Sequence, residues 1–203
     1  MTNLIDRIYF QELSERDPKD VCRRALCKYD DINELYRLSV WGDEYGIFPS
    51  QLKINCMSNN TQSLHDYFYL FIIHYLLKSK EIEISNEWIS EKDIPGGTTF
   101  FRGPHEIPTN LICLRFNNNI NEFKERCEKT HGIPLNMADA AYSFKITPRI
   151  PVAVLYWKGS ITSLLIKKFF TVTSGFFYTY QKFCHRFHYI SHNGYRAFRF
   201  LFP

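Results

Sequence analysis

At 203 residues the chain is long enough to enclose one full hydrophobic core, or a core with an appendage. A hydrophobic share of 45% against 23% charge excludes a disordered or fibrous chain. The sequence has no run of about 18 apolar residues, and Met1–Arg7 holds no apolar signal core, which argues against a spanning helix or secretion and points to the cytoplasm.

The net charge of +4 conceals a division. Residues 1–159 carry 19 Lys/Arg against 21 Asp/Glu, whereas residues 160–203 carry six Lys/Arg and no acid. That second stretch also holds nine of the 18 Phe and three of the seven His, so the chain changes character at Ser160. Six cysteines, none in a Cys-x-x-Cys pair, read as buried thiols in a reducing setting. The sequon at Asn59-Asn60-Thr61 has no meaning without a secretory route.

In chain order, Asn3–Leu13 has apolar residues at helical spacing. Asp17-Pro18-Lys19-Asp20 is a helix start with a cap and a first-turn proline, and the helix is expected to bury Val21, Cys22, Ala25, Leu26 and Tyr29. Leu35–Trp41 and Tyr45–Phe48 flank Gly42-Asp43 as a hairpin, and Leu52–Cys56 adds a third strand. Ser63–Asp66 opens a helix that is apolar on nearly every side from Tyr67 to Leu77, which predicts deep burial. Pro95-Gly96-Gly97 reads as a turn, or as a place where backbone meets a ligand; it lacks the helix start of a phosphate loop. Leu111–Phe116 fits either a short helix or a strand. Asn121–Thr130 is an amphipathic helix burying Phe123 and Cys127, with its stop at Gly132, and Leu135–Ala140 follows as a loop. Ala141–Thr147 alternates as a one-sided strand, and Val152–Trp157 is an unbroken apolar run suited to a strand buried on both faces. Between them, Pro148-Arg149-Ile150-Pro151 must break the ladder.

Trp88-Ile-Ser with Ile94-Pro95-Gly96-Gly97, Asp139 ahead of the strand, and Pro148-Arg149-Ile150-Pro151 running into Val154–Gly159 together resemble the domain of unknown function 3786 family over about residues 5–159. Its members occur mostly in anaerobic bacteria and archaea. Some relatives carry iron–sulfur segments, which implies a role near redox or corrinoid cofactors, but this chain has no four-cysteine cluster motif. After Trp-x-Gly the family continues with acidic residues, whereas here Ser160 opens a run without acids. Residues 160–203 are therefore expected to be a basic, aromatic, poorly ordered extension read out of frame.

The fold class expected is α+β, a single domain over 1–159 with a mixed or antiparallel sheet packed on the buried helix. Candidate ligand-binding residues are Asp139, Arg149, Gly96 and Gly97. Arg149 beside a broken ladder would clamp a carboxylate or phosphate, or more simply pair with Asp139. Cys127 and His131, four apart, would make half a metal site, but packing and a helix end account for them more simply. Cys184, His188 and His192, with His185 adjacent, repeat the spacing inside the suspect extension. His65 and His74 read as core or boundary residues. No catalytic set and no metal site is assigned, and cofactor and partners are left open. The leading functional expectation is a non-enzymatic accessory or binding protein. The alternatives are an enzyme or cofactor-handling protein with a cleft near Asp139 and Arg149, or nucleic-acid or membrane attachment through the tail. Translating the coding DNA in its other two frames past Gly159 should restore the acidic continuation; if neither frame does, the out-of-frame reading is wrong.

Overall fold

The computed structural model describes residues 5–58, 66–94, 96–102, 107, 109–158 and 163–169, the last run by its backbone. The fold is α+β, with six helices and nine strands among these residues, and the chain divides into two compact units.

Among the described residues the first unit lies within 5–83 together with 147–149 and Phe169. Helix α1 (Arg7–Ser14) starts on Asp6, whose side chain accepts from the Ile8 N–H, and it buries Phe10 and Leu13 while leaving Ile8 exposed. Helix α2 (Pro18–Ala25) starts as the sequence predicts, with Asp17 accepting from the Lys19 N–H and proline at its first turn. It ends sooner than expected. Leu26 turns left-handed at φ 53° and lies exposed, and the next residues become strand β1 (Lys28–Asp30), so Leu26 and Tyr29 are not on the helix.

Strands β1, β2 (Leu35–Val40), β3 (Asp43–Phe48) and β4 (Lys53–Cys56) form an antiparallel meander in that order. The β2–β3 register pairs Val40 with Asp43, so the two turn residues are Trp41 and Gly42, one position earlier than the glycine-first pair predicts. Both have positive φ, 55° and 87°, which is the turn whose twist matches the flanking strands. Helix α3 (Asp66–Lys78) buries Leu70–Ile73 and Tyr75–Leu77, as its all-round apolar sequence requires.

Among the described residues the second unit lies within 84–146 and 150–168, and its sheet has the order β5-β9-β8-β7-β6. The strands are β5 (Ile84–Ser90), β6 (Ile133–Leu135), β7 (Ala140–Thr147), β8 (Ile150–Tyr156) and β9 (Ser163–Phe169). β6 replaces the start of the expected loop; its Pro134 sits on an edge strand, where a missing N–H is tolerated. The expected break at 148–151 is narrower than proposed: Pro148 and Arg149 form the turn, and Ile150 and Pro151 already belong to β8. β9 lies beyond the break in composition at Ser160 and pairs antiparallel with β8, Val152 opposite Ile166.

β8 is enclosed on both faces, every residue from Val152 to Tyr156 being at most 4% exposed. On one side Ala153 and Leu155 pack with Ala141, against Trp88, Leu135, Met137 and Trp157. On the other, Tyr156 stacks on Phe123 at 4.8 Å between ring centroids and meets Phe116 edge-on. Phe116 belongs to α5 (Asn110–Phe116) and Phe123 to α6 (Ile120–Lys129), which resolves the 111–116 segment as helix. The Tyr156 hydroxyl accepts from the Asn118 N–H at 2.9 Å, holding the left-handed link between those helices. A Val154→Ala variant should lose about 2–3 kcal/mol in urea unfolding, the cost of deleting two methyl groups from a closed site.

Candidate functional site

The residues expected to form a site fall in different units: Arg149 in the first, Asp139, Gly96 and Gly97 in the second. Each is engaged within its own unit.

Helix α2 leaves the carbonyls of its last turn without intrahelical partners, as every helix does. Arg149 meets two of them. Its Nη2 donates to the Arg23 carbonyl at 3.1 Å and its Nε to the Arg24 carbonyl, while Nη1 donates to the Ile82 carbonyl at 2.7 Å. The third carbonyl of the turn, Ala25, accepts from the Tyr75 hydroxyl at 2.8 Å, and that hydroxyl in turn accepts from the Arg149 N–H at 3.3 Å. A cation is thus placed at the negative end of a helix, where the peptide dipoles favour it. Arg149 is only 7% exposed, and carbonyl dipoles rather than a carboxylate surround its charge.

Two further arginines extend this arrangement. Arg24 donates to the Ser79 carbonyl at 2.6 Å and pairs with Asp20, and Arg23 pairs with Asp20 and Glu81. Tyr75 is one of three tyrosines on α3, so the sequence does not single it out; the general signal is that a buried phenol must find a partner for its hydroxyl. Burial pushes the Tyr75 phenol up to about 12, partly offset by the hydrogen bonds it makes.

Asp139 does not reach for a guanidinium either. Its Oδ2 accepts from the Lys158 N–H at 2.8 Å, tying the loop before β7 to the end of β8. Gly96 has φ 75°, in the region only glycine enters freely, and has open space where a side chain would stand. Gly97 is confined by backbone: a Cβ there would lie 1.9 Å from the Glu91 carbonyl oxygen. A short helix, α4 (Gly97–Phe100), does begin at this point, contrary to expectation. The 3-10 turn before it, Glu91–Asp93, is held by a capping box in which Ser90 accepts from Lys92 and its own N–H donates to Asp93.

Cys127 is fully buried on α6, and burial pushes its thiol well above the usual range. His131 lies past the helix end in a left-handed conformation and is exposed, so the four-residue spacing no longer places the two on one face. His74 packs its ring against Tyr9 at 4.6 Å. Among the described residues no group of three His, Cys, Asp or Glu is disposed to hold a metal ion, and no helix is long and apolar enough to cross a membrane. His65, Cys184, His185, His188 and His192 lie outside the described residues, as does the proposed nucleic-acid or membrane tail apart from the backbone of residues 163–169.

A family model described as Domain of unknown function (DUF3786) matches residues 17–160, more than half of the chain, and the chain belongs to that family. No curated protein and no solved structure matches it.

Two measurements test this arrangement. Arg149→Lys should destabilise by about 2–4 kcal/mol in urea unfolding, because an ammonium cannot span three carbonyls and leaves buried acceptors unmet. Since folding raises the Tyr75 phenol, its contribution is complete below the ordinary value near 10 and is lost as pH rises towards 12. The urea midpoint should therefore fall between those pH values, and less steeply in Tyr75→Phe.

Proposed function

We propose that this member of the domain of unknown function 3786 family is a non-enzymatic accessory or binding domain that works in the cytoplasm. The observation that carries the reading is the occupation of Arg149. A planar guanidinium fork is suited to clamp a carboxylate or phosphate, yet its Nε, Nη1 and Nη2 all donate to backbone carbonyls. Asp139 and Gly97 support the same reading, the first through its bond to the Lys158 N–H and the second through its close approach to Glu91. Arg149, Asp139 and Gly97, three of the positions that carry the family resemblance, thus act as joints of the fold.

An enzyme or cofactor-handling protein using Asp139 and Arg149 would behave differently towards small anions. A ligand present at about 100 times its dissociation constant adds about 2.7 kcal/mol of stability, which for a chain of this size is a rise of roughly 5–10 °C in the unfolding midpoint. Phosphate and succinate, titrated into the millimolar range, should leave the midpoint unchanged. A rise of that size in the native protein, abolished by Asp139→Asn, would replace this reading with the anion-binding one.

A further inference from the structure

Helix α2 closes without glycine, and the way it closes brings two thiols together. The N–H groups of Leu26 and Cys27 both donate to the Cys22 carbonyl, the second at 3.3 Å, with Leu26 left-handed between them. In this kind of helix end, the residue that opens the last turn and the second residue past the cap make a side-chain contact. Here both positions are cysteine. Their sulfurs stand 3.8 Å apart, both are free thiols, and both are half-buried. A disulfide needs its sulfurs about 2.0 Å apart, so the two must approach by about 1.8 Å to pass from contact to bond.

We propose that Cys22 and Cys27 form a redox-active dithiol that closes an intramolecular disulfide across the end of α2 when a small-molecule disulfide acts as oxidant. The Cys22 thiolate attacks one sulfur of the oxidant and expels the other as a thiolate, giving a mixed disulfide. The Cys27 thiolate then attacks the Cys22 sulfur and releases the second thiolate. The pair loses two electrons and two protons, and the oxidant is reduced to two thiols. Cys22 attacks first because burial raises the Cys27 thiol further than it raises Cys22. Asp17 and Asp31 also act on Cys22, Arg24 opposes the shift at Cys27, and the phenols of Tyr29 and Tyr36 lie nearby. The new bond spans Arg23, Arg24, Ala25 and Leu26, and the carbonyls of the first three are held by Arg149 and Tyr75, so the oxidation state would bear on the same helix end.

The test uses oxidised glutathione on the full chain at about pH 8.5, because only the thiolate attacks and a higher pH favours it. After blocking of free thiols, trypsin cuts beyond Arg23 and Arg24, placing Cys22 in the peptide 20–23 and Cys27 in the peptide 25–28. These peptides stay joined only if the disulfide has formed. The expected result is the joined pair in at least about tenfold excess over any other cysteine pairing, the advantage that proximity confers. Two thiols should be lost per chain, dithiothreitol should restore them, and neither Cys22→Ser nor Cys27→Ser should lose two. Unchanged thiol content, glutathione retained on Cys22 without the joined pair, or joining spread equally over Cys56, Cys113 and Cys127 would each overturn the proposal. The peptide assignment in the native chain decides the matter even if a serine variant fails to fold.

Discussion

A guanidinium taken out of water needs acceptors for its donors, and that requirement at Arg149 governs the first unit. The acceptors are the carbonyls of Arg23, Arg24 and Ile82. Meeting them fixes where α2 ends and where the chain runs after α3. The neighbouring pairs then fall into place: Arg24 with the Ser79 carbonyl, Arg23 with Asp20 and Glu81, Tyr75 with Ala25. The exposed pairs among these add little by themselves, since water screens them. The buried fork matters more, because removing it would leave several desolvated carbonyls without donors.

The second unit rests on a different constraint. β8 has neighbours on both sides in its sheet and side chains packed against both of its faces, so it has no surface to give to solvent. Aromatic stacking of Tyr156 on Phe123 fills one face, and on the other Ala141, Ala153 and Leu155 are covered by Trp88, Leu135, Met137 and Trp157. A strand in this position needs no polar alternation, which is why its sequence reads as a continuous apolar run.

Much of this was legible in the residues. Alternation announced β7, the apolar run announced β8, and Asp17-Pro18 announced the start of α2, because each signal is local and periodic. The end of α2 was not legible: Leu26 adopts a conformation usually reserved for glycine, and no propensity marks a leucine for it. The same applies to Trp41, a bulky residue in a turn where asparagine or glycine is usual. For the candidate site, position was legible and role was not. The sequence shows Arg149 beside a proline turn, but its partners come from residues 23, 24 and 82, which only the folded chain brings within reach. The nearness of Cys22 to Cys27 was hidden for a related reason: five residues apart is the wrong spacing for one helix face and becomes contact only when the helix stops between them.

Among the described residues β9 sits between β5 and β8, so the strand there to which β5 is hydrogen-bonded is the last of the described strands in the sequence. During synthesis, β6, β7 and β8 can assemble as soon as they emerge, while β5, made well before them, waits with its edge unmatched until residues 163–169 leave the ribosome. Such late, distant pairing slows folding and prolongs exposure of a sticky strand. Translation that stopped just after Trp157 would therefore yield a chain whose earliest strand in this sheet has nothing to zip onto.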